Sequence, residues 1–257
     1  MHSNWIRTTM AATCAIGLAL SGCAGGNGSD ILAPTLTAGA SLASTQVQEA
    51  PKFDPAKFVA GVNHPFFPLV PGTVSTFDEA PGPDAEHIVV EVLAEPKSIL
   101  GIAATVVRDR VYVGGELIED TFDWYAQDQA GNVWYLGEAV KNYQGGVLVS
   151  TKGSWEAGLN GAIGGIQMLA EPEPGAAYYQ EYAQGVAEDE ARVRRDDIHV
   201  DVPYGSFDEC VQTLEWTKLE PGHRGYKHYA RGVGLVLESS AQGGGKVGRV
   251  ELVSVGP

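Results

Sequence analysis

The short gaps between apolar runs limit what this chain can fold into. From Thr73 to the C-terminus, runs of β-branched and aromatic residues alternate with polar ones, and stretches rich in glycine separate them. Gaps of about two to five residues suit antiparallel hairpins, whereas parallel strands need helical crossovers. Since no segment keeps a helical period for three turns, we predict one all-β domain, an antiparallel meander that forms a strongly curved sheet or barrel.

The predicted strands cover residues 73–79, 86–95, 102–113, 116–127, 132–140, 147–152, 176–184, 190–202, 207–218, 225–230, 233–241 and 247–255. Segment 153–175 is the exception, because it is long, rich in glycine and contains Trp155. Long loops in compact domains are often binding loops or lids, so we predict such a loop here. One short helical turn is expected within residues 55–61.

The N-terminus has the features of a targeting segment. Met10 to Leu20 is an apolar run of signal-peptide length, too short to span a bilayer as a mature helix. It leads into Leu20-Ser21-Gly22-Cys23, which resembles the lipobox of bacterial lipoproteins. The resemblance implies cleavage before Cys23 and a lipid on its sulfur, and several acyl chains at one residue anchor a protein stably. The alternative is an ordinary secretory signal with a chance cysteine.

Three regions follow from this interpretation. Residues 1–22 are a lipoprotein signal peptide, residues 23–52 are the lipidated cysteine with a flexible tether rich in Gly, Ala, Ser and Thr, and residues 53–257 are the all-β domain. Ala24, not Asp, follows the cysteine, which implies the outer membrane if the source has two membranes. We therefore expect an extracytoplasmic protein of the cell envelope that contacts the membrane through lipidated Cys23.

Two further motifs carry a second resemblance. Residues 67–73 (FPLVPGT) begin the domain, and residues 229–236 (YARGVGLV) precede its last strands. They resemble the opening and closing strands of uncharacterised bacterial lipoproteins with a highly curved antiparallel sheet, similar to lipoprotein carriers of the LolA/LolB type. The resemblance implies the architecture and brings no catalytic residues with it.

The charge limits the classes of partner that this chain can bind, and the cysteine content predicts the state of Cys210. The chain carries 17 basic and 32 acidic residues, a net charge of −15, and loss of Arg7 with the leader would bring it to −16. Such an acidic surface argues against nucleic acid and against adhesion to anionic lipid, and it permits cation binding. After processing, Cys210 would have no intramolecular partner, and its apolar-patterned strand predicts a buried structural thiol.

Register arithmetic predicts a first pair of facing carboxylates. Gly114-Gly115 is a two-residue hairpin loop, so the residues that face each other across it have numbers that sum to 229. Asp109 then lies opposite Asp120 on the same face as Val107 and Val111, the predicted core face. Like charges in a cross-strand pair are destabilising, so these two side chains need a partner.

A third carboxylate joins them in this prediction. The turn at residues 128–132 resembles a type I turn with a Gly bulge, and it places Glu138 opposite Phe122, diagonally from Asp120. Asp109, Asp120 and Glu138 would then converge from three adjacent strands. Hard oxygen ligands on rigid strands suit Ca²⁺ or a similar ion, and these residues are the candidate metal ligands.

Four alternatives to a metal remain open. A buried arginine from the strand at residues 190–202, namely Arg192, Arg194 or Arg195, would neutralise the cluster. One Asp would hold a shared proton. A register slip by one residue would place all three side chains in solvent. An open cavity would leave them hydrated.

The sequence gives weaker signals for other kinds of functional site. Aromatic residues of the predicted hairpins are expected to be core and cross-strand pairs, with Trp124, Trp134 and Trp155 as candidates for ligand contact. Five histidines lack zinc-ligand spacing: His64, His87, His199, His223 and His228. His223 and His228 flank one turn and could meet, but we expect them to be surface-loop histidines. No nucleophile elbow, P-loop, dinucleotide fingerprint or paired CxxC occurs.

Three functional hypotheses follow. The first is a lipid-anchored binding protein for a small ligand or metal ion, which predicts a polar or acidic pocket. The second is an envelope carrier or assembly factor for lipid or lipoprotein, which predicts a continuous apolar cavity. The third is a secreted hydrolase with dispersed carboxylates, which predicts a strongly perturbed pKa in a cleft. The identity of the ligand does not follow from the sequence.

Overall fold

The computed structural model describes residues 54–82, 84–241 and 248–257. The predicted signal peptide, Cys23 and the tether lie outside the described residues. In this part of the chain, no helix is long and apolar enough to span a bilayer. The single helical turn expected near the start is present as a 3₁₀ helix at Pro55–Lys57, where the Asp54 side chain accepts a hydrogen bond from the Ala56 amide at 3.2 Å.

The described residues are almost entirely strands. In chain order they are β1 (Phe58–Val59), β2 (Val62–His64), β3 (Phe67–Leu69), β4 (Val74–Glu79), β5 (Glu86–Val92), β6 (Lys97–Ile99), β7 (Ile102–Val113), β8 (Glu116–Asp128), β9 (Val133–Gln144), β10 (Val147–Ser150), β11 (Trp155–Glu156), β12 (Ile163–Met168), β13 (Ala177–Tyr179), β14 (Glu181–Tyr182), β15 (Asp189–Val202), β16 (Gly205–Thr217), β17 (Arg224–Ala230), β18 (Gly234–Ser240) and β19 (Arg249–Gly256).

One antiparallel sheet contains all of these strands except β2 and β3. It runs as a meander from β15 through β19, continues from β19 to β4, and then passes through β5, β7 and β8 to β9. Strand β12 nearly closes it, because β12 pairs with β9 on one side and with β14 on the other. The predicted all-β fold, a curved antiparallel meander approaching a barrel, is confirmed.

The prediction of a loop over residues 153–175 is wrong. This segment contributes β11 and β12, which both pair with β9 and so help to close the barrel. Gly165 serves close backbone approach, since a Cβ on it would lie 2.2 Å from the Gln180 carbonyl oxygen. Sequence reasoning took the same glycines as a sign of a loop.

The two motifs that resemble opening and closing strands meet in space. The Phe67 and Tyr229 ring centroids are 6.3 Å apart, and the Gly232 amide donates to the Pro65 carbonyl at 2.7 Å. Arg231 lies over the ring of Phe66 at 4.5 Å. The short β2–β3 hairpin therefore packs against the turn between β17 and β18.

Candidate functional site inside the barrel

The register of β7 on β8 shifts by one residue soon after the hairpin turn. Val113 pairs with Glu116 as predicted, but an irregularity beside Val111 moves the partner of Asp109 to Thr121. The predicted Asp109–Asp120 pair is therefore wrong. Because side chains alternate across a sheet, a shift of one residue turns β8 over relative to the prediction.

Asp120 consequently lies on the outer face of the barrel. Arg108 donates to its two carboxylate oxygens from Nε at 2.7 Å and from Nη2 at 3.1 Å. These two charge-assisted hydrogen bonds neutralise the Asp120 carboxylate without a metal ion. The arginine that pairs with Asp120 is therefore Arg108 and not one from the strand at residues 190–202, where Arg192 is partly exposed and Arg194 and Arg195 are exposed.

A second irregularity sets the pairing of β8 on β9. Tyr125 pairs with Tyr135, in the predicted register, but beyond Gly137 the partner of Glu138 is Asp123, not Phe122 as predicted. Gly137 has a φ of +131°, a conformation that favours glycine. The two irregularities together place Asp123 and Glu138 side by side on the inner face, where Asp120 had been expected.

We call Asp123, Glu138 and Glu181 the interior carboxyl cluster. Their exposed fractions are 0%, 1% and 2%. The Tyr135 hydroxyl donates to Asp123 at 2.6 Å, but both oxygens of Glu138 and Oε2 of Glu181 lack a hydrogen-bond partner. Asp109 is also fully buried on this face. Buried carboxyl groups that lack partners are costly when ionised, so the cluster needs protons or a cation.

The pKa values of the cluster are shifted accordingly. Burial, as the largest cause, raises the pKa of Asp123 to about 7, while the Tyr135 hydrogen bond opposes the shift. Burial also raises the pKa of Glu138 well above its usual range, and repulsion from Glu181 and Asp123 adds to it. The pKa of Glu181 is likewise raised by burial and then by Asp189. These directions favour protonated carboxyl groups within this cluster; they do not test the shared proton expected on Asp109 or Asp120.

A neighbouring buried carboxylate shows the opposite arrangement. Lys227 is the one buried lysine or arginine among the residues that the structure describes. Its ammonium lies 3.0 Å from Glu215, which also accepts from Thr213 at 2.9 Å and from Gln180 at 3.2 Å. Lys227 thus forms its ion pair with Glu215, and its charge also opposes the rise in the pKa of Asp123 and of Glu181.

Aromatic rings line the inner face beside the cluster. Tyr125 stacks on Tyr135 with centroids 4.9 Å apart, and Trp155 meets Tyr135 edge to face at 5.5 Å. Trp155 is the strand partner of Glu138. The other two candidate tryptophans lie elsewhere: Lys97 covers Trp124 on the outer face at 3.2 Å, and Trp134 packs on Phe58.

The candidate metal ligands do not assemble as predicted. Asp109 and Glu138 face inwards and Asp120 faces outwards. Among the described residues, no three His, Cys, Asp or Glu side chains form an arrangement ready to hold a metal ion. Metal binding by Asp109, Asp120 and Glu138 as one set is therefore not supported by the register.

Sequence reasoning missed Asp123 and Glu181. A glycine inside an alternating strand, such as Gly137, is a known sign of a bulge and was the available signal for Asp123. Glu181 had no such signal. Its position depends on the pairing of β14 with β12, and β12 lies in the segment that was predicted as a loop.

The expectation that His228 is a surface-loop histidine is wrong, and His64 is buried too. His64 and His228 are 3% and 6% exposed, and burial lowers the pKa of His228 to about 4. His223 is exposed. The expected burial of Cys210 is confirmed at 0% exposure, and burial raises the pKa of its thiol to about 11.

An exposed histidine has the connectivity of a hydrolytic triad without its chemistry. His199 Nδ1 lies 2.6 Å from Asp208, and its Nε2 lies 3.3 Å from the Ser206 hydroxyl. The same Nε2 is also 3.3 Å from Asp201. The two carboxylates raise the pKa of His199, with the Asp208 hydrogen bond as the largest cause. Its Nε2 is therefore shared between the Ser206 hydroxyl and the Asp201 carboxylate, so it is not a dedicated base for Ser206.

Comparisons with known proteins leave the chain without a family. No protein-family model matches it, and no curated protein matches it. Among solved structures, a chain from Parabacteroides distasonis ATCC 8503 described as a "putative lipoprotein" is similar, with 13% identity and a TM-score of 0.36. The similarity covers 74% of this chain and 98% of that one. At this identity and TM-score it transfers neither fold nor function.

Proposed function

We propose that this protein is a lipid-anchored extracytoplasmic binding protein whose barrel interior binds a small cationic ligand at the interior carboxyl cluster. The observation that carries the proposal is Glu138, which is 1% exposed and has no hydrogen-bond partner on either oxygen. Repulsion from Asp123 and Glu181 disfavours its ionised form. A ligand cation would remove that repulsion and supply the missing partner.

The aromatic lining favours an organic cation over a bare metal ion. Tyr125, Tyr135 and Trp155 lie on the inner face with the carboxyl groups. Aromatic faces attract ammonium and guanidinium groups, and aromatic walls with a few charged groups are typical of small-molecule sites. A Ca²⁺-like ion, the ligand that the sequence suggested, would need the carboxylates to move together, because they do not form a ready-made set.

The anchoring part of the proposal rests on the sequence. The apolar run to Leu20 and the Leu20-Ser21-Gly22-Cys23 motif support lipidation at Cys23, with Ala24 supporting retention in the outer membrane of a two-membrane cell. A carrier for acyl chains is less well supported, because buried carboxyl groups interrupt the apolar lining of the barrel.

The proposal is tested by thermal unfolding of the full-length protein in detergent at pH 7.5. The probes are spermidine and choline as organic cations and CaCl₂, MgCl₂ and ZnCl₂ as metal ions. A ligand of the native state raises the midpoint, and at about a hundred times its dissociation constant it adds about 2.7 kcal/mol of stability. We expect an organic cation to raise the midpoint of the wild type and to have no effect on Glu138→Gln.

Glu156→Gln is the matched control. Glu156 is the strand neighbour of the Glu138 partner Trp155, and its carboxylate pairs with Lys97 at 2.7 Å. This variant should keep the wild-type response to the ligand. A midpoint that moves with none of the probes, or that moves equally in Glu138→Gln, contradicts binding at the cluster. A response confined to metal ions would transfer the proposal to the ion that the sequence suggested.

A further inference from the structure

The hairpin of β15 and β16 bends over the outer face of the barrel. Its pairing is irregular between Val193 and Val200, and Glu209 has a φ of +53°, as expected at a bulge. At the tip, the Tyr204 amide donates to the Leu252 carbonyl of β19 at 3.0 Å. The end of the hairpin thus forms a second layer over β17, β18 and β19.

A cavity of about 230 Å³ lies between this second layer and the sheet. Its floor takes one polar side chain from each of four consecutive strands: Gln212 of β16, His228 of β17, Ser239 of β18 and Arg249 of β19. These residues face away from the interior carboxyl cluster, because their strand neighbours Lys227, Glu238 and Val250 face inwards. Its roof is residues 198–201 of the bent hairpin.

The floor is rich in hydrogen-bond donors that are held in place. Arg249 donates from Nε and Nη2 to Glu251 at 2.9 and 2.6 Å, which fixes the plane of the guanidinium. His228 Nδ1 lies 3.3 Å from the Leu237 carbonyl, which can only accept, and His228 Nε2 then accepts from the Gln212 amide at 2.8 Å. His228 is 6% exposed. The cavity therefore combines a buried, oriented imidazole with a fixed guanidinium.

The roof adds one histidine and one exposed acid. His199 is held between Asp208 at 2.6 Å and Asp201 at 3.3 Å. The Asp201 side chain is 75% exposed, so it can leave the rim at little cost. A metal cation is disfavoured here because a guanidinium lines the cavity. Oxygen atoms of an anion suit guanidinium, amide and hydroxyl donors.

We propose that this cavity binds a small oxyanion, with Arg249, Gln212 and Ser239 as its donors. The proposal is independent of the cation site, which lies on the opposite face of the sheet. The net charge of −15 gives the protein no general attraction for anions. Binding there would therefore depend on the local donors and would persist at raised salt, unlike a diffuse electrostatic effect.

The test is isothermal titration of the full-length protein in detergent with inorganic phosphate, sulfate and succinate, in chloride buffer at pH 7. We expect saturable one-to-one binding of at least one of these probes. Arg249→Gln should weaken the affinity for that anion by about ten-fold or more, because it removes charge-assisted hydrogen bonds. Ser239→Ala, which removes only a hydroxyl group, should weaken it by about five-fold.

Arg110→Gln is the control for loss of a cation. Arg110 is also a partly buried, outer-face arginine on a strand, bonded to Glu91 at 3.0 Å, and its loss should leave the affinity unchanged. Near-UV circular dichroism checks that each variant keeps the wild-type packing. Absence of saturable binding of all three anions overturns the proposal, and so does an equal loss in Arg110→Gln or full affinity in Ser239→Ala and Arg249→Gln together.

Discussion

Replacing Glu238 with Gln tests how much the buried carboxyl groups cost the fold. Glu238 lies in β18, is 7% exposed and is the strand partner of Lys227. Burial raises its pKa from 4.5 to about 7, attraction to Lys227 opposes the shift, and repulsion from Glu215 adds to it. Glutamine has nearly the same shape and no charge, so the variant removes the titration and keeps the packing.

The size of the effect follows from this shift. A change of one pKa unit corresponds to about 1.4 kcal/mol, so a rise from 4.5 to about 7 corresponds to about 3 kcal/mol. The folded protein binds the proton more tightly than the unfolded chain. The stability from the protonated carboxyl group is therefore fully present below pH 4.5 and is lost as the pH rises through about 7.

The variant should therefore be more stable than the wild type in alkali and equal to it in acid. We expect the free energy of unfolding of Glu238→Gln to exceed that of the wild type by about 3 kcal/mol at pH 8.5 and by less than about 0.5 kcal/mol at pH 4. Urea unfolding of the chain from Ala24 to Pro257, followed by tryptophan fluorescence across this pH range, measures both values.

The pH profile provides the refutation. If the two proteins differ by the same amount at pH 4 and pH 8.5, the gain comes from packing or hydrogen bonding and not from a proton. A variant that is less stable at pH 8.5 would show that Glu238 is ionised and forms a favourable pair with Lys227. The variant should keep part of the pH dependence of the wild-type stability, because Asp123 also has a pKa raised to about 7.

Two further predictions concern the closure of the barrel and its anchor. Gly137→Ala should lower the free energy of unfolding in urea by about 3 kcal/mol or more, because Gly137 has a φ of +131° and its new Cβ would lie 2.3 Å from the Trp155 carbonyl oxygen. Gly256→Ala is the control: Gly256 has open space around it, so its substitution should change this free energy by less than about 0.5 kcal/mol. Equal losses in the two variants would contradict the close approach. Mass spectrometry should find a lipid on Cys23 of the envelope-derived protein and none on the Cys23→Ser variant. In detergent phase separation, this variant should move to the aqueous phase. An unmodified wild-type cysteine would contradict anchoring.

Most of the fold was predictable because hairpin turns and alternation are local signals. The glycine turn at Gly114-Gly115 and the alternating runs predicted β7 exactly as observed, at residues 102–113, and β8 to within one residue. Short strands such as β1, β6 and β11 were missed. β1 pairs with β8 and β11 pairs with β9, so their strand character comes from partners elsewhere in the chain, whereas β6 pairs locally with β7. In all three, two or three residues carry no period of their own.

The candidate site was less predictable, because its residues depend on register. A bulge beside Val111 and another beside Gly137 each shift the pairing by one residue. Each shift is small in the backbone, yet it exchanges the inner and outer faces of every residue beyond it. The sequence-based set correctly placed Glu138 on the inner face and wrongly chose Asp120 over Asp123 as its neighbour.

The first bulge also explains how the chain accommodates so many carboxyl groups in adjacent strands. Without it, Asp109 and Asp120 would face each other inside the barrel, and Arg108 would face solvent. With it, Asp120 meets Arg108 on the outer face at 2.7 Å, so one acid is neutralised by an arginine that is itself partly exposed. Among the acids that remain inside, Asp123 and Glu138 have no such arginine. Their shifted pKa values and missing partners thus follow from a register that satisfies Asp120, which is why the interior carboxyl cluster is the place to look for a cation.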